Sequence, residues 1–341
     1  MIKFVKAVLS ASIAVSLGIA ACASNAADIK ERNFKVAFVQ QKDHPQGLSL
    51  ERFAELADKK SGGKIKVRLF PGGTLGGDAA VISSLQGGTV EMTLVATSLL
   101  GSQVKEFAML DLPYLFSDFS EADAVLDGPI GKRLNDKLPE RGLVGLSYWD
   151  HGFRNMTNSK HPIAKLEDFR GLKIRVLQLP LYVDMFNALG SNAVPMAYPE
   201  LYSAMENRAV DGQENTFSSI ETAKFYEVQK YVSTTRHVYQ PLILLFSKKI
   251  WDQLTADEQK VLLEAAAEAQ PYARKISREA DTKSLETLRS KGIIVTEFPS
   301  ASVAQMRERL KPVVDKYSKE AGEATVKEMF VEIEKVRARS K

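Results

Sequence analysis

Residues 171–176 read GLKIRV, with Leu172, Ile174 and Val176 alternating with Lys173 and Arg175. A period of two is the pattern of a β-strand. Helical patterns precede and follow it, so the strand belongs to a sheet covered on both faces. There Arg175 has no water to reach, and a buried guanidinium without an anion is costly. GLKIRV therefore indicates an α/β fold and leaves an arginine in need of a partner.

The same alternation of elements runs outward from this strand. Strand patterns occupy 34–39 (FKVAFV), 64–70 (KIKVRLF) and 90–96 (VEMTLVA). Between them lie a helical stretch ending on Gly62–Gly63 and a second, "DAAVISSLQGG", with Asp78 as its expected N-cap. This β-α-β-α-β order predicts a doubly wound unit. After a helical region around 121–138 come strands at 142–149 (GLVGLSYW) and 153–158 (FRNMTN). The alternation then restarts through GLKIRV, a helix "LPLYVDMFNALG", a short strand "NAVPM", a helix "YPELYSAMENR" and a strand "AVDGQ". "PLILLFSKK" (241–249) reads as a buried strand returning to the first unit. From Thr255 to about Leu288 the periodicity is helical throughout, with Pro271 as the one proline, predicting a long helix shared by both units. "GIIVTEF" (292–298) is one more strand and the tail from Ala301 is helical. The expected organisation is two α/β domains: 27–151 with about 241–280, and 152–240 with about 281–341.

Lys3 and Lys6 precede the apolar run AVLSASIAVSLGIAA, and the small-residue stretch CASNAAD follows it. This is the layout of a secretory signal peptide over residues 1–26, cleaved after Ala26, and it points to a periplasmic protein. The run is too short and too poor in large side chains for a good membrane span. "IAAC" also fits a lipoprotein signal anchored through Cys22, the single cysteine. On either reading the mature chain has no disulfide and no internal thiol chemistry.

The chain carries 46 basic and 42 acidic residues, intermixed. Without a Lys/Arg block this is no nucleic-acid footprint. The four histidines show no metal-binding spacing, no G-x-S-x-G elbow is present, and neither nucleotide-loop pattern occurs, so no metal and no cofactor is expected. "PGGTLGG" (71–77) is then a tight turn needing positive φ.

The arginines carry more chemistry. Arg154, in "HGFRNMTN", is flanked by Trp149 and Phe153, and Arg175 follows at the end of its own strand. A guanidinium fork matches a carboxylate bidentately. The ordinary partner is an internal Asp or Glu; the alternative is a ligand bound beyond the carboxyl ends of the strands. In "AVDGQEN" (209–215), Asn215 either caps the next helix or offers its amide to a polar ligand.

Taken together, "SGGKIKVRLFPGGTLGG", "DLPYLF", "GFRNMTN", "EDFRGLKIRV", "VPMAYPELYSAMENRAVDGQEN" and "KFYEVQKYVSTTRH" resemble the substrate-binding proteins of tripartite ATP-independent periplasmic (TRAP) transporters. The resemblance spans essentially the whole mature chain. It implies a periplasmic-binding-protein architecture of two α/β domains, linked by crossing strands and a long helix, that closes around an organic acid. It implies that Arg175 makes the principal salt bridge to the ligand carboxylate, with Arg154 and Asn215 near the same group and Tyr198 against the ligand. Gln40, Gln41, His44, Asp78, Thr97 and Ser98 are the first-domain candidates for the rest of the ligand. "QENT" departs from the family's frequent "QENP", placing the Thr216 hydroxyl near the site. The implied partners are a small organic acid and, transiently, the TRAP membrane subunits, with a monomeric receptor that performs no catalysis. The neutral and acidic first-domain candidates favour a sugar acid, a uronate or aldonate such as glucuronate, over C4-dicarboxylates, 2-oxo acids or aromatic acids. A secreted hydrolase without a recognisable motif is the rival class.

Overall fold

The computed structural model describes residues 28–339; the expected signal peptide and the Cys22 alternative lie outside them. In chain order the elements are β1 (Arg32–Ala37), α1 (Pro45–Lys60), β2 (Ile65–Phe70), α2 (Asp78–Gly87), β3 (Met92–Ala96), α3 (Phe119–Leu126), α4 (Pro129–Asp136), β4 (Leu143–Asn158), β5 (Lys173–Val176) and α5 (Pro180–Ala188). They continue with β6 (Asn192–Pro195), α6 (Leu201–Glu206), β7 (Gly212–Asn215), α7 (Phe217–Thr222), β8 (Tyr231–Ser247), α8 (Lys248–Trp251), α9 (Ala256–Ser290), β9 (Ile294–Thr296), α10 (Ser300–Ala321) and α11 (Glu323–Arg339).

The described strands form one mixed sheet in the order β2-β1-β3-β8-β4-β7-β5-β6, with β9 alongside β8. The β1–β2, β1–β3, β5–β6 and β5–β7 pairs are parallel, as helical crossovers require. The two middle strands are antiparallel and long, 16 residues for β4 and 17 for β8. Sequence reading divided β4 into 142–149 and 153–158. The structure instead carries it through as one strand whose register shifts between Asp150 and Gly152. Gly152 sits there at φ 119°, a conformation glycine adopts without a Cβ penalty. β4 and β8 thus run through both halves of the sheet, and their irregular midpoint is where the halves join.

Side-chain alternation along β8 shows why its sequence is apolar without a break. Leu242, Leu244 and Phe246 pack with α1 and α9, while Ile243 and Leu245 pack with the α2–α4 side. GLKIRV alternates differently: Leu172, Ile174 and Val176 enter the core, Lys173 is exposed, and Arg175 is buried on the opposite side.

α9 runs Ala256–Ser290 with Pro271 inside it, close to the predicted span. Thr255 opens it with a reciprocal cap: Thr255 Oγ1 accepts from Glu258 N at 3.2 Å and Glu258 Oε2 accepts from Thr255 N at 3.0 Å. The helix packs on α1 at one end and α7 at the other, so it is shared by both halves. α10 packs against α5, and α11 lies on α3, where Arg337 pairs with Glu121 at 2.8 Å. No helix among the described residues is long and apolar enough to cross a membrane.

Phe246 is fully buried and packs edge-on against Phe34 and Trp251, with ring centroids 5.2 and 5.3 Å away. Phe246→Ala is expected to destabilise the chain by on the order of 3–5 kcal/mol. Chemical denaturation followed by circular dichroism checks this, and a loss below about 1 kcal/mol is too small for a closed central layer.

Candidate functional site

A small cavity lies where β4 and β8 cross between the halves of the sheet. The β1–β3 side contributes Val39, Gln40, Gln46, Asp78, Leu94, Val95 and Ala96. The far side contributes Arg175, Leu177, Tyr198 and Asn215, and the crossing strands contribute His151, Arg154, Gln240 and Leu242. The halves meet at two places beside it. A Cβ on Gly73 would stand 2.7 Å from Pro199 Cγ, and one on Gly77 would stand 3.5 Å from Ala197 Cβ. Elsewhere, His44 of the first half reaches Ser218 and Ser219 of α7, with Nε2 3.2 Å from each hydroxyl. "PGGTLGG" is the expected turn, with φ of 68° at Gly72 and 71° at Gly73, and its glycines allow this close approach.

The two arginines have opposite environments. All five N–H groups of Arg154 have acceptors: Nε and Nη2 engage both carboxylate oxygens of Glu214, Nη2 also donates to the Glu214 carbonyl, and Nη1 donates to Gln240 Oε1 and Asn215 Oδ1. The Asn215 contact is the longest, at 3.3 Å. Burial opposes the charge on Arg154, but Glu214 outweighs it and raises its pKa. Burial likewise pushes Glu214 up, and Arg154 with His237, whose Nε2 lies 3.2 Å away, brings it below the usual carboxylate value.

Arg175, 3% exposed, has no such partner. Its Nε and Nη2 donate to one backbone carbonyl, that of Met196, at 2.9 and 2.7 Å. It forms no ion pair among the described residues, and the Tyr198 ring centre lies 5.9 Å from its Cζ. Burial lowers its pKa to about 10, against a distant pull from Glu214. The remaining donors belong to a guanidinium on the cavity wall. The internal salt bridge is thus realised by Arg154, and Arg175 is the cation left open.

Other expected residues divide by position. Gln40, Asp78, Tyr198 and Asn215 line the cavity. Gln40 Oε1 and the Tyr198 hydroxyl are buried without a hydrogen bond of normal geometry, although Gln40 is close enough to influence the hydroxyl. Asp78 is not the N-cap: Gly77 is, and Asp78 is the first helical residue with its carboxylate at the cavity. Nor does Asn215 cap α7. Thr216 does, its hydroxyl accepting from Ser219 N, because "QENT" supplies a β-hydroxyl at the required position. Gln41 is exposed beside Gly72. His44 is buried as the cap of α1, its Nδ1 accepting from Gln46 N at 3.0 Å. Thr97 Oγ1 faces the Pro241 carbonyl, and Ser98 borders a second pocket lined by Ala79, Leu99 and Pro180. These four stand off the cavity wall.

Sequence reading missed Gln46, His151 and Gln240. A polar residue at the head of "QPLILLF" was the available signal for Gln240. Gln240 Oε1 accepts from Arg154 Nη1 at 2.6 Å and from His151 Nδ1 at 2.9 Å. That assigns the hydrogen to Nδ1, so Nε2 accepts from Ser219 Oγ at 3.0 Å. Burial, reinforced by Arg154, lowers His151 to about 3, and burial with His151 nearby lowers His44 well below its ordinary value. Both are neutral. Among the described residues no cluster of His, Cys, Asp and Glu could hold a metal.

The cavity therefore combines an open guanidinium, a carboxylate, neutral amides and an aliphatic wall, and is suited to holding a small organic anion. The family model for bacterial extracellular solute-binding protein, family 7, matches residues 36–320. The chain belongs to that family. Its members are TRAP transporter solute-binding proteins, and this one shares 51% identity with a TRAP periplasmic solute-binding protein from Ochrobactrum anthropi, over 92% of this chain and 98% of that one (TM-score 0.81). That crystal structure has a C-terminus bound in its ligand pocket. A sugar-acid-binding protein from Advenella mimigardefordensis, solved with galactonate, is 44% identical over 90% of this chain and 99% of that one (TM-score 0.89). The 2,3-diketo-L-gulonate-binding periplasmic protein of Escherichia coli is 33% identical over 84% of this chain and 88% of that one. The mixed α/β architecture with a ligand cleft is common to these solved relatives and to this solute-binding protein.

Behind the cavity of this family 7 protein, Asp111 of the first half accepts from the Tyr182 hydroxyl at 2.6 Å and from Gln240 Nε2 at 3.2 Å. Burial pushes its pKa up to about 6, against these hydrogen bonds. A carboxyl raised in the folded state costs stability above that value, and the cost is relieved as pH falls towards its ordinary value. Neutral His44 and His151 act in the opposite direction, so the comparison of interest is between variants. Relative to Asp111→Asn, the native chain is expected to gain stability between pH 7 and pH 5, read from denaturation midpoints. A difference that stays flat across that window contradicts the assignment.

Proposed function

We propose that this protein is a periplasmic TRAP receptor that captures an organic acid through a carboxylate–Arg175 ion pair and delivers it to the membrane subunits for uptake, without catalysing a reaction. The observation that carries this reading is the buried guanidinium of Arg175, whose only hydrogen-bond acceptor among the described residues is the Met196 carbonyl. An arriving carboxylate supplies the missing anion, and expulsion of water strengthens the pair as the local dielectric falls. Tyr198 and Asn215 flank the same carboxylate. Arg154 holds this wall in place through Glu214, and its long bond to Asn215 is the one a ligand oxygen can replace.

The two α/β domains, 27–151 with about 241–280 and 152–240 with about 281–341, close about the middle of β4 and β8, with α11 riding on α3. The substrate class is a hydroxylated monocarboxylate, a uronate or aldonate. Arg154 is neutralised by Glu214 and both nearby histidines are neutral, so among the described residues the lining offers no second open cation for a second carboxylate. The solved relative holding galactonate points the same way. Export by a signal peptide, with a lipid anchor at Cys22 as the other route, and action as a monomer complete the reading.

Calorimetry against a panel of aldonates, uronates and C4-dicarboxylates tests it. Arg175→Ala is expected to weaken binding of the best acid by about 2–5 kcal/mol, roughly 30-fold to several thousand-fold, while the thermal midpoint stays near that of the native chain. Native-like affinity in that variant refutes the role of Arg175.

A further inference from the structure

We propose that Asp78 selects the ligand: its carboxylate accepts hydrogen bonds from ligand hydroxyls opposite Arg175 and turns away acids that carry a second carboxylate there. The inference rests on the receptor reading above and adds the basis of its specificity.

Asp78 is half-buried on the cavity wall, contributed by the first half of the molecule, whereas Arg175 comes from the second. Among the described residues its side chain makes no hydrogen bond and no ion pair. This contrasts with Glu214, whose two oxygens are both taken by Arg154. An ionised carboxylate has about four acceptor positions, and no described residue uses those of Asp78. Arg175 is near enough to act on it electrostatically but lies beyond ion-pair distance. The neutral amides of Gln40 and Gln46 line the same side.

A ligand therefore meets a positive group on one wall and an acceptor-only group on the other. An acid with its carboxylate at one end and hydroxyl donors further along satisfies both. A dicarboxylate of similar length places its second negative group beside the Asp78 carboxylate, where like charges repel. Burial has already pushed Asp78 up to about 6, with Arg175 pulling it down. The other groups facing it are the Tyr198 hydroxyl and, further off on β4, Arg154 compensated by Glu214 and neutral His151. Hydroxyl donors favour the ionised form and a second carboxylate disfavours it, so the two ligand classes shift the proton in opposite directions.

The test is calorimetric titration of the full mature chain and of Asp78→Asn and Asp78→Ala with galactonate, galacturonate, D-erythronate and succinate. Because Asp78 has no hydrogen-bond or ion-pair partner among the described residues, both variants are expected to keep the native circular dichroism spectrum and thermal midpoint. The native chain should bind at least one hydroxylated acid at least about 10-fold more tightly than succinate. Both variants should lose about 10- to 100-fold for that acid and bind succinate no worse, closing the gap. An unchanged ratio in the variants, or a native preference for succinate, overturns the assignment. An acid that binds the native chain and is lost in Arg175→Ala keeps the receptor reading intact in either case. Failure of the native chain to bind any of the four overturns the present assignment outright, and the wider acid panel then decides the receptor reading separately.

Discussion

A guanidinium taken out of water must find an acceptor for its N–H groups and an anion for its charge. Two arginines near the centre of this molecule meet that demand in different ways. Arg154 meets it entirely within the protein, through Glu214, Gln240 and Asn215. Arg175 meets it in part, with two bonds to a single backbone carbonyl. The uncompensated remainder faces the cavity. Its position depends on β5, whose register with β6 and β7 sets which side of the strand faces the core. A one-residue slip would exchange the faces and send Arg175 into the apolar cluster holding Ile174 and Val176.

The crossing strands make the site a joint property of both halves. β4 supplies His151 and Arg154 and β8 supplies Gln240 and Leu242 within a few residues of the register shift at Asp150–Gly152. Gln240 accepts from Arg154 and His151 and donates to Asp111, and His151 continues through Ser219 to His44. A continuous set of buried hydrogen bonds therefore runs from the arginine wall to a contact between the halves. Each member has at least one partner, and the one oxygen of the set left buried without a bond is Asp111 Oδ1.

Much of this was legible in the sequence because it was periodic. GLKIRV, KIKVRLF and the long helix from Thr255 carry strong patterns, and the structure places elements there within a few residues. The unbroken β4 was not legible, because Gly152 lies between two strand patterns and reads as a break when only local sequence is available. Asp78 was misread as a helix cap, and capping was one of the two readings open for Asn215, for a similar reason. Capping depends on one backbone dihedral pair, and Gly77 and Thr216 satisfy it at adjacent positions. Of the site, the open arginine and its neighbours on the second half were accessible through strand position and family resemblance. Gln46, His151 and Gln240 were not: the partners of His151 and Gln240 lie dozens of residues away, and Gln46 reaches the cavity only through the packing of the two halves.

Three buried or half-buried carboxyls around the site show how partner type sets charge. Burial pushes Glu214, Asp111 and Asp78 in the same direction, towards the neutral acid. Glu214 grips a guanidinium with both oxygens and ends below the ordinary carboxylate value. Asp111 receives a phenol and an amide, which are neutral donors, and rises to about 6. Asp78 receives no donor among the described residues and also rises to about 6, although Arg175 acts on it from across the cavity. For Glu214, bonding to Arg154 offsets desolvation; for Asp78, the nearby Arg175 does not. By taking Glu214 for itself, Arg154 removes the carboxylate that would otherwise neutralise this region. Arg175 is thereby left as the open positive charge on the cavity wall.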